Sequence, residues 1–250
     1  VQCCDRGGPV SRLEVFGIEG IGEVTRSADL AGLIADAARD SGTPLADGDA
    51  LVVTQKVVSK SEGAMVAVDP DDPLAHKPLV EENSVRILRR RGDLIISETR
   101  HGFVCANAGI DLSNVGRGEA ALLPEDPDRS ARRIRDVLAG RFGVQVGVIV
   151  SDTFGRPWRR GVTDVAIGCA GIRAIVDLRG TRDAYGRELQ VTEVALVDEV
   201  AAAAELVMGK SAGVPAAVVR GLDAGWFTQP GDHGGVVADL VRSPSEDLFR

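Results

Sequence analysis

The run Val146-Gly147-Val148-Ile149-Val150 passes directly into Ser151-Asp152-Thr153, and this junction constrains the fold more than any other feature. An apolar run this short, without helical spacing, reads as a buried strand. Its end delivers a carboxylate and a hydroxyl. A cationic loop follows at once, with Arg156, Trp158, Arg159 and Arg160, then Thr163 and Asp164. Carboxylate and hydroxyl oxygens are the ligands that Mg²⁺ accepts, and the guanidinium fork matches phosphate oxygens. A plain strand followed by a solvated basic turn would carry the same pattern.

A second segment, residues 101–116 (HGFVCANAGIDLSNVG), bears on the same chemistry. Asp111 is another carboxylate on a loop after an apolar stretch, and Asn114 adds an amide. Two carboxylates from distant strand ends are a common way to hold a divalent metal against a nucleotide. An Asx-turn, in which Asp and Asn side chains bond their own backbone, accounts for the same residues.

Elsewhere helix and strand signals mix without a regular βαβ rhythm. This predicts an α+β fold, with mixed and antiparallel sheets and two intimate subdomains, over a doubly wound sheet. Residues 13–24 read as a strand and then a glycine-rich loop. Leu30, Leu33, Ile34, Ala37 and Ala38 give helical spacing over 30–40, stopped by Ser41-Gly42. A short buried strand at 50–53 runs into 54–60, where Lys56 and Lys60 share one side if the segment is helical. Residues 79–91 read as a helix with a basic end. Strands are expected at 94–97 and 102–105, and an amphipathic helix at 128–142. Strands at 171–180 and 189–191 would flank a turn at 182–187. A long helix is expected over 192–208, with Thr192 as N-cap and Val191 as its hydrophobic staple. The last strand falls at 215–220.

Composition narrows the function classes. The formal charge of −8 disfavours a general nucleic-acid binder, which would be basic. An acidic protein that binds anionic nucleotide must concentrate positive charge locally, as Arg156, Arg159 and Arg160 do. No apolar run reaches the roughly 20 residues of a membrane span. The start, VQCCDRGGPV, has no h-region or cleavage site and no initiator Met. Residues 1–12 are therefore expected to be a frayed tail and 13–250 the working domain. Cys3, Cys4, Cys105 and Cys169 form no C-x-x-C, which fits a reducing cytoplasm and argues against structural zinc. His76, His101 and His233 lack metal-ligand spacing.

Residues 204–211 (AELVMGKS) fit a loose phosphate-loop pattern with Ala for the first Gly. The context is wrong, because such a loop follows a strand and opens a helix. Here the segment closes a helix. Gly209 reads as its C-cap, with Lys210 beside the negative end of the dipole.

Taken together, residues 54–63 (TQKVVSKSEG), 107–116 (NAGIDLSNVG), 151–161 (SDTFGRPWRRG), 183–188 (DAYGRE) and 215–221 (PAAVVRG) resemble the coenzyme F420-0:L-glutamate ligases, in the same order and at similar spacing. The ending Glu246-Asp247-Leu248-Phe249 is similar as well, and the likeness runs from about Leu13 to Arg250. The chain is similar to a stand-alone ligase or to the N-terminal ligase domain of the fused actinobacterial enzyme.

The resemblance implies a cytoplasmic, GTP-dependent ligase that adds L-glutamate by amide bonds to the phospholactate tail of coenzyme F420-0 through an acyl phosphate. It implies Mg²⁺ or Mn²⁺, as many as two ions, with K⁺ as a further candidate, and a homodimer. Asp111, Asp152 and Thr153 would hold metal. The loop Ile21, Gly22, Glu23 and Val24 would contact nucleotide, with Gln55, Lys60, Asn114, Gly209 and Lys210. Gln55 stands where the family often has a small hydroxyl residue, which weakens any role for its side chain but leaves a backbone contact open, and Gly22 stands where the family often has Pro. Arg156 and Arg159 are expected to stabilise the transferring phosphoryl group or the anionic substrate tail. Arg182, Asp183 and Tyr185 suit either a substrate-facing loop or a hairpin turn. Two alternatives stay open: a non-catalytic GTP-binding module or scaffold, and a glutamate ligase for another carboxylate cofactor.

Overall fold

A computed structural model describes residues 12–247, apart from 230, 233 and 244. Most of the expected N-terminal tail, Cys3, Cys4, His233 and the final Leu248-Phe249 lie outside the described residues. In chain order the elements are β1 (Glu14–Gly17), α1 (Leu30–Asp40), β2 (Ala50–Thr54), α2 (Gln55–Glu62), β3 (Met65–Ala67), α3 (Lys77–Glu82), β4 (Ser84–Arg91), β5 (Leu94–Thr99), β6 (Val104–Ala106), β7 (Glu119–Ala121), α4 (Pro127–Val137), β8 (Gly147–Arg156), β9 (Arg159–Ala170), β10 (Val176–Asp177), β11 (Glu193–Val194), α5 (Leu196–Met208) and β12 (Ala216–Arg220). Helices and strands mix in an α+β fold.

The apolar runs build the centre. Strands β2 and β12 are buried along nearly their whole length, as is the first half of β8. They join β1 and β9 in a sheet of order β1-β12-β2-β8-β9. Only β2 and β8 run parallel among the described pairs; the other neighbours are antiparallel. Helices α4 and α5 both pack on β9. The α4 contact is close: a Cβ on Gly168 would lie 2.3 Å from the Pro127 carbonyl carbon. The Asp128 carboxylate beside it accepts hydrogen bonds from the backbone N–H groups of Cys169 and Val236. A smaller apolar cluster of Val80, Ile95, Ala108, Ile110 and Ala120 lies apart from the main core, beside the three-stranded sheet β4-β5-β6.

Several sequence expectations hold. Helix α1 covers 30–40, capped by Asp29, which accepts from the Gly32 N–H. Strand β5 pairs with β6, and α4 carries on through a wider turn to Phe142.

Others are corrected. Residues 79–91 are not one helix, because α3 ends at Glu82 and 84–91 form a strand hydrogen-bonded to β5. Val85, Ile87 and Leu88 lie on a mostly exposed edge strand, and Gly92 at φ 57° turns the hairpin. Helix α5 begins at Leu196 with no side-chain cap. Glu193 and Val194 are instead drawn into a ladder with Asp177 and Val176, which takes the place of the first expected helical turn. Only Val176–Asp177 of the expected 171–180 strand is extended into that ladder, and 189–191 form no strand.

Candidate active site

Segments far apart in sequence line one cavity of about 780 Å³. Gly22, Glu23 and Val24 enter from the loop after β1. The first turn of α2 follows β2 without a break. Ala106 to Asn114 approach from β6, Ser151 to Phe154 from β8, Val162 and Asp164 from β9, and Glu205 to Pro215 from the end of α5. Five acidic side chains (Glu23, Asp111, Asp152, Asp164, Glu205) and three lysines (Lys56, Lys60, Lys210) stand on its wall.

Strand β8 does not stop at Val150, as its sequence suggests. It continues through Arg156, paired with β9 in a long hairpin. The apolar run ends because the strand leaves the doubly covered core and becomes cavity wall. A register shift between Val150 and Ser151, with Ile167 the extra residue on β9, falls at this transition. Bulges of this kind commonly re-aim side chains next to functional sites. Beyond it, Asp164 is buried at 2% exposure. The Ser151 hydroxyl donates to its Oδ2 at 3.0 Å and the Thr153 hydroxyl to its Oδ1 at 2.7 Å. The Lys210 ammonium reaches Asp164 Oδ1 at 2.7 Å and Glu205 Oε1 at 2.8 Å, and also donates to Thr153 Oγ1. Burial alone would lower the Lys210 pKa, but these carboxylates raise it.

Asp152 is set differently. Among the described residues it has no ion-pair partner, and its carboxylate accepts one hydrogen bond, from the Thr153 N–H at 2.8 Å. Desolvation pushes its pKa up to about 7. The Thr153 bond and Lys210 work against the rise, while Asp111 and Asp164 add to it.

Asp111 lies on a loop held by paired backbone bonds to Ala121. Its Oδ1 accepts the Ser113 N–H at 2.7 Å, so the Asx-turn is real. Its Oδ2 meets the Lys56 ammonium at 2.9 Å. Burial disfavours its charge, but the Ser113 amide and Lys56 outweigh that and hold the carboxyl below its usual range. Asn107 and Asn114 on this loop have φ of 50° and 53°, a left-handed conformation that Asn tolerates better than most residues. Lys60 pairs with Glu23 at 2.6 Å.

Most of the expected residues therefore meet in one place: Gly22, Glu23, Val24, Gln55, Lys60, Asp111, Asn114, Asp152, Thr153, Gly209 and Lys210 all line the cavity. Ile21 does not, and is packed into the main core. Gln55 is buried with its amide donating to Ser59 Oγ and the Leu122 carbonyl, so its side chain is committed to the fold. Gly209 caps α5 as expected, and Lys210 reaches both Glu205 in the last turn of that helix and Asp164 on β9. Arg156 and Arg159 sit exposed at the hairpin tip and are absent from the cavity wall. Four strand residues past Asp152 amount to about 13 Å. Arg182, Asp183 and Tyr185 form an exposed turn closed by Asp183, which accepts from the Tyr185 and Arg187 N–H groups.

Sequence reasoning named Lys56 and Asp164 without giving either a role in the site, and it passed over Glu205. Asp164 carried a usable signal, as a single acid opening the apolar stretch Val165-Ala166-Ile167.

The donors on the wall are hard oxygens, the set preferred by Mg²⁺ and Mn²⁺. Among the described residues, no three Asp, Glu, His or Cys side chains converge to hold an ion by themselves. A cation here would need oxygens from a bound substrate, which is how Mg²⁺ is usually held at phosphate sites. Asp111, Asp152 and Thr153 fit that requirement. No helix among the described residues is long and apolar enough to cross a membrane.

Comparison with known proteins points to one family. The model of the F420-0:Gamma-glutamyl ligase family matches residues 20–221. A protein of Methanothermobacter thermautotrophicus named coenzyme F420:L-glutamate ligase is 43% identical, over 95% of this chain and 99% of its own length. Its namesake in Methanopyrus kandleri is 46% identical, over 98% and 99%. That of Methanocaldococcus jannaschii is 38% identical, over 83% and 86%.

Proposed function

The chain belongs to the F420-0:gamma-glutamyl ligase family, and from that premise we propose that it is a GTP-dependent ligase that joins L-glutamate by amide bonds to the phospholactate tail of coenzyme F420-0. The observation that carries this reading is the convergence of segments far apart in sequence, with their oxygen donors and lysines, on one cavity.

Amide formation from a carboxylate at neutral pH needs a better leaving group than oxide. In the proposed sequence a terminal carboxylate oxygen of the precursor attacks the γ-phosphorus of GTP, and GDP departs. The glutamate amine then attacks the acyl carbon of the acyl phosphate, loses its proton and expels phosphate. The protein supplies positioning and charge neutralisation. Asp111 and Asp152, with Thr153, would hold Mg²⁺ or Mn²⁺, which when bound would draw charge from the phosphate oxygens. Room for a second ion or for K⁺ belongs to the same proposal, as does assembly into a homodimer.

Lys60 and Asn114 would bind the nucleotide, together with backbone at Gly22 to Val24 and Gly209. The start of α2 adds the positive end of a helix dipole. Asp164 would position Thr153 and Ser151 through its two hydroxyl bonds. Arg156 and Arg159 are left for parts of the substrate that extend beyond the cavity mouth.

The test is direct. Protein, GTP, Mn²⁺, L-glutamate and deazaflavin precursor are incubated, and mass spectrometry reads the precursor for a gain of one glutamyl unit. Without glutamate, hydroxylamine should trap the precursor as a hydroxamate. GTP consumption indifferent to the precursor, with neither product, would refute the ligase reading.

A further inference from the structure

All three lysines on the cavity wall are engaged with carboxylates of the same wall: Lys56 with Asp111, Lys60 with Glu23, and Lys210 with Asp164 and Glu205. Two of these pairs stand out. The Lys210 ammonium sits among Thr153 Oγ1, Asp164 Oδ1 and Glu205 Oε1. Three oxygens are a full complement for its three N–H donors. The Lys56 ammonium likewise takes Asp111 Oδ2 and Ser113 Oγ, each at 2.9 Å. Both therefore rest on oxygens of the kind a hard cation would take.

Building on the nucleotide–metal reading above, we infer that Lys56 and Lys210 are internal counter-cations: in the ligand-free protein Lys56 occupies Asp111 and Lys210 occupies Thr153, and both free these oxygens for the metal when nucleotide phosphates arrive. An ammonium and a divalent ion cannot both sit at full strength on one carboxylate, because they repel each other at such range. The displaced ammonium needs a new anion, and in this cavity the phosphates are the available one. The Lys210 side chain is 53% exposed and has a flexible four-carbon stem, so it can swing without repacking the core.

The exchange has a thermodynamic signature. Metal alone must displace Lys56 from Asp111 and Lys210 from Thr153 with no new anion to receive them, and nucleotide alone meets lysines already engaged. The two should bind weakly apart and tightly together, with equal coupling in either direction.

The experiment reads free Mn²⁺ by its electron paramagnetic resonance signal, with and without a non-hydrolysable GTP analogue. It compares the wild type with Lys210→Met and Lys56→Met. In the wild type the analogue should tighten Mn²⁺ binding by about 100-fold, within the usual range of coupling. Each variant should bind Mn²⁺ alone about tenfold more tightly than the wild type, because one competing charge is gone, and its coupling should shrink. A merely structural role for the lysines would loosen metal binding instead. Unchanged or weaker Mn²⁺ binding in variants with wild-type circular dichroism overturns the exchange. If one variant fails to fold, the other decides; if both fail, the wild type decides, and the absence of coupling between Mn²⁺ and the analogue overturns the exchange. No Mn²⁺ uptake by the wild type even at saturating analogue would refute the nucleotide–metal reading itself, and the exchange with it.

Discussion

Thr54 and Ser151 are register partners at the end of the parallel pair β2–β8, and the residue after each, Gln55 and Asp152, lines the cavity. Parallel strands open their C-terminal ends on the same side, where α/β sheets commonly bind ligands. This one pairing brings the first turn of α2, with Lys56, level with the carboxylate of Asp152.

The raised Asp152 pKa makes the metal-free protein sensitive to pH. The folded carboxyl keeps its proton up to about pH 7, whereas the ordinary value is 3.8. Between those values the folded state binds more protons than the unfolded chain, so stability falls as pH rises through the window. Asp152→Asn removes that cost. In metal-free protein the variant should be more stable than the wild type at pH 8, by up to about 4 kcal/mol, and equal to it near pH 4. Thermal melts at the two pH values check this, and identical melting temperatures at pH 8 would refute it.

The same substitution should disable the chemistry. Losing one metal-holding charge from the cavity floor is expected to lower glutamyl transfer by roughly 100-fold or more. The variant would then be more stable yet inactive. Wild-type turnover with metal still required would remove Asp152 from the proposed metal site.

Gly168→Ala should destabilise the fold by about 3 kcal/mol. The added methyl would sit 2.3 Å from the Pro127 carbonyl carbon and 2.7 Å from the Asp128 nitrogen. Both are backbone atoms, so α4 must shift as a body and disturb the Asp128 bonds to Cys169 and Val236. Urea unfolding measures this, and a midpoint within error of wild type would mean that α4 yields freely.

Arg220→Ala tests the other end of the central sheet. Asp49 is 1% exposed and receives the Arg220 guanidinium at 2.7 and 2.8 Å. Removing one partner of a buried pair leaves an uncompensated charge, at a cost of about 3 kcal/mol. Arg220 also covers the Phe16 ring, so Arg220→Lys should recover only part of the loss. Chemical denaturation of both variants, with Arg220→Lys as stable as the wild type, would count against the bidentate pair.

Local pattern made much of this protein legible. The apolar spacing and Ser41-Gly42 stop marked α1 to its ends, and the short Val/Ile runs marked β2, β8 and β12, because burial leaves a periodic trace over a few residues. Where a segment's fate depended on distant partners, local pattern misled. Val85, Ile87 and Leu88 suit a helix as well as an edge strand, and pairing with β5 chose the strand. Glu193-Val194 entered a ladder with residues far upstream in place of starting α5.

For the site, sequence alone determined which side chains had suitable chemistry: oxygen donors at Asp111, Asp152 and Thr153, and cations at Lys60 and Lys210. Tertiary structure alone decided which of them meet. Lys210 reaches an Asp 46 residues away, and Arg220 one 171 residues away. Those meetings follow from the strand order β12-β2-β8-β9, set by the joint burial of apolar faces, which no local spacing records. The same order carried Arg156 and Arg159 out along a hairpin, away from the carboxylates beside which their sequence had set them.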